Sequence, residues 1–196
     1  MIRIGFIRHG TTEWNLYGRM QGLMDIPLAH IGRDQAVLLG KSLQRADWDG
    51  ILSSDLDRAR QTAELLASSS EIPFLGVDAR LRERGFGVLE GTTLSQRIAR
   101  WGENWRELNL GRESLESVLF RWDSFLEENS RIYDGKRILI VSHGGVIEPV
   151  LANRYGTVVQ QHLTNTSLSI LSFYTSGWRC DLLNCSKHLE QFTTRF

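Results

Sequence analysis

Two histidines stand where side chains can do chemistry. Arg8-His9-Gly10 follows an apolar run at 2–7, and Ser142-His143-Gly144-Gly145 follows another at 137–141. An imidazole just past a strand projects into the crevice where open α/β sheets gather ligands, and adjacent glycines, Gly144 among them, let an oxyanion approach the backbone closely. One such histidine is most often packed or at the surface; two after separate strands carry more weight. Arg58, within Ser54-Asp55-Leu56-Asp57-Arg58-Ala59-Arg60, falls in the first turn of a helix that follows the run 50–53. With Arg8 it offers planar forks that match phosphate, and the first-turn amides add donors. The competing reading of Arg58 is a surface ion pair with Asp55 or Asp57.

Those side chains need a scaffold that aligns strand ends. Residues 2–7, 50–53, 73–77 and 137–141 read as short buried strands bounded by turn residues. Between them run helical stripes: Ala36, Leu39 and Leu43, then Leu56, Ala59, Ala63, Leu66 and Ala67, the second with Ser54 as its expected cap. Alternation of strand and helix implies a mostly parallel sheet with helices on both faces. Over 92–130 the pattern changes to two successive amphipathic helices, Leu94, Ile98, Trp101, Trp105 and Leu108, then Leu115, Val118, Leu119, Trp122, Phe125 and Leu126. Residues 167–174 and 178–183, joined across Ser176-Gly177, read as an antiparallel hairpin at a sheet edge. The expected architecture is one α/β domain over 1–196, a three-layer αβα sandwich with a mostly parallel, Rossmann-like sheet and a small helical insertion at about 92–130.

Composition narrows the function classes. The 196 residues carry 23 Lys plus Arg against 23 Asp plus Glu, and 41% are hydrophobic. Zero net charge leaves no electrostatic footprint for nucleic acid or an anionic membrane, so any anion must be bound by local charge. Cys180 and Cys185 are too few for a disulfide framework and lack zinc-site spacing. With no signal-like stretch and no apolar run near the ~18 residues of a membrane span, cytoplasmic residence is expected. The triplets at Asn165 and Asn184 then carry no glycosylation meaning. His30, His162 and His188 read as structural or surface residues without the helical spacing of a metal site, and Trp101, Trp105 and Trp122 as packing positions. No cofactor or metal is expected, and the protein is expected as a monomer or a homodimer.

Taken in order, Arg8-His9-Gly10 with Thr12-Glu13-Trp14-Asn15, the segment 54–63, Leu81-Arg82-Glu83-Arg84-Gly85-Phe86-Gly87 and Ser142-His143-Gly144-Gly145 resemble the histidine phosphatase superfamily, also called phosphoglycerate mutase-like. The resemblance spans most of the chain. It implies His9 as the phosphate-accepting nucleophile, Arg8, Asn15, Arg58 and His143 as the phosphate pocket, and Glu83 as the proton donor. Gln21 and Gly22 match a stretch lining the substrate side. The bland reading of Glu83 is a neighbour of Arg82 and Arg84 in a charged loop.

The chemistry is consistent with such a set. An imidazole attacks only when neutral, and the field of Arg8, Arg58 and a protonated His143 is expected to lower the pKa of His9. Arginines can stabilise the equatorial oxygens of a loose phosphoryl-transfer transition state, so no metal is required. The implied activity is a metal-independent phosphomonoesterase acting on small molecules. Cofactor-dependent phosphoglycerate mutases of the superfamily carry a longer insertion. Here Leu94 falls where they usually have a substrate-binding lysine, and their His-Gly-Asn is His143-Gly144-Gly145. These departures favour a small bacterial phosphatase of the broad-specificity or α-ribazole type, with a mutase as the alternative and a noncatalytic phospholigand-binding protein behind it. Met20, Leu23, Phe86, Leu89 and the insertion's tryptophans are expected to form an apolar rim suited to bulky or aryl esters.

Overall fold

The two most apolar strands lie side by side at the centre because both their faces are covered. In the computed structural model, which describes residues 3–190, β1 (Arg3–Arg8) pairs in parallel with β4 (Arg137–Ser142), Ile7 opposite Val141 and Arg8 opposite Ser142. That register brings His9 and His143 out of the sheet together. With β2 (Gly50–Ser53), β3 (Phe74–Val77), β5 (Leu168–Tyr174) and β6 (Gly177–Cys185), the order is β3-β2-β4-β1-β5-β6. The first four strands run parallel; β5 is antiparallel to β1, and β6 to β5, as the expected hairpin requires. Of the run expected at 2–7, Ile2 lies outside the described residues.

Strand alternation sorts the core into two layers. Ile4, Phe6, Ile138 and Ile140 face one side and pack against α5 (Leu115–Ile132) and α6 (Gly144–Tyr155) through Val118, Trp122, Phe125, Ile147 and Leu151. Ile7, Leu139 and Val141 face the other, against Leu39 of α2 (His30–Ser42) and Ala59, Ala63 and Leu66 of α3 (Asp57–Ser70). The result is the αβα sandwich. Among the described residues no helix is long and apolar enough to cross a membrane.

The segment 92–130 divides in a way its periodicity did not show. α4 (Leu94–Trp101), with a Thr93–Gln96 capping box, stops at Gly102, whose φ of 78° favours glycine. Trp105 therefore sits in a separate 3-10 turn (Trp105–Glu107), buried against the guanidinium groups of Arg97 and Arg106, while Leu108 is exposed. α5 belongs to the sheet-covering layer, with Trp122 5.2 Å from the Phe6 ring. A second difference concerns the cap of α3. Its N-cap is Leu56, which makes no side-chain bond, and the Asp57 amide donates instead to Asp25 Oδ1 at 2.7 Å. Ser54 lies two residues before that cap, and its Oγ accepts the Leu56 amide at 3.2 Å.

Candidate active site

His9 is buried at the carboxyl end of β1, its amide still in the ladder through Ser142 O at 2.9 Å. Its Nδ1 lies 2.8 Å from Gly10 O. A carbonyl only accepts, so Nδ1 carries the proton and Nε2 keeps the lone pair. Burial first, then the charges of Arg58 and Arg8, hold the imidazole well below its ordinary pKa. A neutral ring with a free Nε2 is the form that attacks phosphorus.

His143, also buried, lies 5.1 Å from His9 between ring centroids. The expectation of a protonated His143 is corrected here: burial, then Arg58, His9 and Arg8, push its pKa well down as well. Two imidazoles and two guanidiniums in one dry site cannot all be cationic, and the imidazoles give up their protons first. Ser54, expected as a helix cap, faces His143 Nε2 at 2.9 Å. When the Ser54 hydroxyl donates there, the neutral ring holds its proton on Nδ1.

The two arginines are held by carbonyls. Arg58, fully buried in the first turn of α3, donates to Gly22 O at 2.7 Å and Met24 O at 2.8 Å. Neither suggested ion pair forms, since Asp57 pairs with Arg60 and Asp55 with Arg82. Gly22 adopts φ 55°, where a side chain is disfavoured, and turns its carbonyl to the guanidinium. Arg8 donates through Nη1 to Leu163 O. Nε of Arg8, Nε of Arg58 and Nδ1 of His143 are buried and bond to no protein atom. These are donors suited to the oxygens of an anion.

Asn15 and Gln21 have more local tasks. Asn15 Oδ1 accepts from the amide of Thr12 at 3.1 Å in the capping box of α1 (Glu13–Leu16). That fixes the carbonyl end of the amide and leaves Nδ2 as its donor end. Gln21 is buried, with Oε1 accepting from the Thr12 hydroxyl at 2.9 Å, which makes it a brace for the same turn.

Glu83 lies in the loop after β3, partly buried, with Oε1 accepting from the Arg84 amide at 2.8 Å. Burial pushes its carboxyl pKa up against the opposing pull of Arg58, the Arg84 amide and Arg8. It is no ordinary loop acid. It faces the first turn of α6, where a Cβ on Gly145 would come 2.5 Å from Oε1. His143 is the N-cap of α6, so Gly144 and Gly145 present first-turn amides and the positive helix end between Arg8 and Glu83. A cleft beside Glu83 is lined by Leu23, Arg82, Glu90, Arg112 and Arg121. Leu89 is fully buried in place of the expected rim position, and none of the three insertion tryptophans lines this cleft.

Several positions that shape the site left no mark in the local sequence. Thr62 of α3 donates to Arg58 O and accepts the Gly10 amide at 2.9 Å. Asn165 Nδ2 donates to His9 O at 2.9 Å, so the asparagine of one triplet has a structural role. Arg121 and Glu113 clamp the Glu83 loop, Arg121 through Arg80 O and Glu113 through the Gly85 amide. Of the other histidines, His188 bonds Thr166 Oγ1 and is partly buried, and His162 is exposed on Glu148. His30 does have a helical partner, Asp34 at i,i+4, on an exposed face. Among the described residues no three His, Cys, Asp or Glu side chains come together to hold a metal ion.

The model of the histidine phosphatase superfamily (branch 1) matches residues 4–186. The chain is 33% identical over 195 residues to "Uncharacterized phosphatase PhoE" of Bacillus subtilis strain 168, covering 98% of this chain and 99% of that protein. It is 32% identical over 208 residues to "Probable phosphoglycerate mutase GpmB" of Escherichia coli, covering 97% and 96%. Among solved structures, a mycobacterial glucosyl-3-phosphoglycerate phosphatase complexed with VO3 superposes with a TM-score of 0.82 at 31% identity, over 93% of this chain and 99% of that one. Bacillus stearothermophilus YhfR gives 0.84 at 27%, over 96% and 100%. With a superfamily model spanning nearly the whole chain and the paired histidines meeting at the strand ends, the protein belongs to the histidine phosphatase superfamily.

Proposed function

We propose that the protein hydrolyses small phosphate monoesters through a phosphohistidine on His9, without a metal. The observation that carries this reading is the set of buried nitrogen donors without protein partners, Arg8 Nε, Arg58 Nε and His143 Nδ1, around a neutral imidazole whose Nε2 is unprotonated. In the first step His9 Nε2 bonds to phosphorus while the ester P–O bond breaks, and the departing oxygen takes the proton of Glu83. In the second, the Glu83 carboxylate takes a proton from water, the water oxygen bonds to phosphorus, and the N–P bond breaks to release phosphate. The arginines stay charged throughout and stabilise the equatorial oxygens.

The similarity to a phosphoglycerate mutase favours a second reading, in which a substrate hydroxyl in place of water accepts the phosphoryl group. Both share the His9 step. The deciding experiment is phosphate release from p-nitrophenyl phosphate in EDTA, with His9→Ala as control, beside conversion of 3-phosphoglycerate. Metal-independent release lost in His9→Ala is the expected result. Isomerisation of 3-phosphoglycerate without release would replace hydrolysis by the mutase reading, and phosphate binding without either reaction would make the chain a binding protein.

A further inference from the structure

Among the described residues Arg8 makes no ion pair and a single side-chain hydrogen bond, to Leu163 O, while the charges of Glu83 and Glu148 act on it without direct contact. What fixes that carbonyl therefore fixes the guanidinium. Leu163 is buried in the loop between α6 and β5, and its amide donates to Glu148 Oε1 at 3.1 Å. Glu148 is on α6, one turn past Gly144. A Cβ on Gly144 would lie 3.3 Å from Glu148 Oε1 and 3.7 Å from Arg8 Nε, so carboxylate and guanidinium flank the same residue. The other face of the carboxylate meets exposed His162, 3.2 Å from Oε2.

A carboxylate at this place is unfavourable for anion binding, because its charge opposes a phosphate near Arg8. It favours the charged form of buried Arg8, and beyond that charge its use lies in the bond it accepts. The geometry points to Glu148 as a positioning residue for the phosphate site: by holding the Leu163 amide it sets the Leu163 carbonyl that orients Arg8. This deepens the proposed function, since Arg8 is one of the donors assigned to the phosphate there. Nothing in the local sequence marks the arrangement, for Glu148 and Leu163 are 15 residues apart and neither is near Arg8 in the chain.

Charge and hydrogen bond make opposite demands, which allows a clean test. Glu148→Gln keeps an acceptor for the Leu163 amide and removes the charge; Glu148→Met is close in size and removes both. Binding of inorganic phosphate to the full chain is measured by calorimetry, with KM and kcat for p-nitrophenyl phosphate beside it. The expected result is phosphate binding about tenfold weaker in Glu148→Met, with KM raised more than kcat is lowered, and binding restored to at least the original strength in Glu148→Gln. Equal changes in both variants, in either direction, or unchanged binding in Glu148→Met, overturn the assignment. Should Glu148→Met not fold, amide hydrogen exchange of the unaltered protein decides: a Leu163 amide that exchanges as fast as those of exposed Gln160 and Gln161 overturns it, and a protected one, more so with phosphate, supports it. Phosphate binding without ester hydrolysis would sink the hydrolytic reading and leave this one standing.

Discussion

At the scale of single residues, the site separates two protonation states that one pH must supply together. The proposed reaction needs His9 neutral and Glu83 protonated, and burial moves each that way, the imidazole below its ordinary 6.5 and the carboxyl above its ordinary 4.5. The acidic limb of kcat/KM is therefore expected well below the usual histidine range. On the alkaline side the rate for alcohol esters is expected to fall as pH rises through the raised value of Glu83. Glu83→Gln should abolish that alkaline limb and lower kcat/KM for alkyl phosphates by about 10²–10⁴-fold, with a smaller loss for p-nitrophenyl phosphate, whose leaving group needs little protonation. An alkaline limb that persists in Glu83→Gln, or equal losses on both esters, would assign the acid elsewhere. His9 and His143 were legible in the sequence because each immediately follows an apolar strand, Arg8 because it ends one of them, and Arg58 because it opens the helix after another. Ser54, Thr62, Glu148 and Asn165 were not, because a hydroxyl, carboxylate or amide whose partner is 15 to 156 residues away leaves no periodicity.

At the scale of elements, the site is a meeting of helix starts with strand ends. α3 brings Arg58, and its Thr62 hydroxyl ties the helix to the Gly10 amide beside His9. Thr62→Val preserves shape but leaves that buried amide without an acceptor, so a loss of about 1–3 kcal/mol in stability is expected, read as a lower urea midpoint. α6 brings His143 and the close contact with Glu83. In Gly145→Ala the added methyl must displace the Glu83 carboxylate, since 2.5 Å is too short for a carbon–oxygen contact. Activity on alkyl phosphates should drop by about 10–100-fold while the thermal midpoint changes little. A Gly145→Ala variant of ordinary activity would mean that the contact is relieved without cost to the acid. The apolar stripes of α2 and α3 were legible since a 3.6-residue period survives in one continuous helix. The stretch 92–130 misled at its first half because Trp105 keeps the helical spacing while Gly102 breaks the helix before it.

At the scale of the molecule, hydrophobic runs revealed strands and layers but not their order, since the placing of β4 between β1 and β2 is made by contacts more than 80 residues apart. The same assembly buries imidazoles, and that has a consequence for the whole fold. His9 and His143 are held well below their ordinary pKa, and burial takes His188 to about 4. Once unfolded, all three return to about 6.5, so below that pH the unfolded chain binds more protons and stability falls with falling pH. Asp49, lowered to about 2 by its bonds to Arg137, adds to the loss in the more acid range below its ordinary 3.8. Glu83 works in the opposite direction, because its raised value makes the folded state bind the extra proton as pH falls toward its ordinary 4.5. Three imidazoles outweigh one carboxyl, and the imidazoles begin to count at higher pH. The urea midpoint is therefore expected to decline from pH 7 to pH 5. His188→Gln, whose amide can keep a bond to the Thr166 hydroxyl, should make the decline shallower. A flat midpoint across this range would mean that the buried imidazoles take up protons in the folded state, and His9 would then not be poised as the neutral nucleophile.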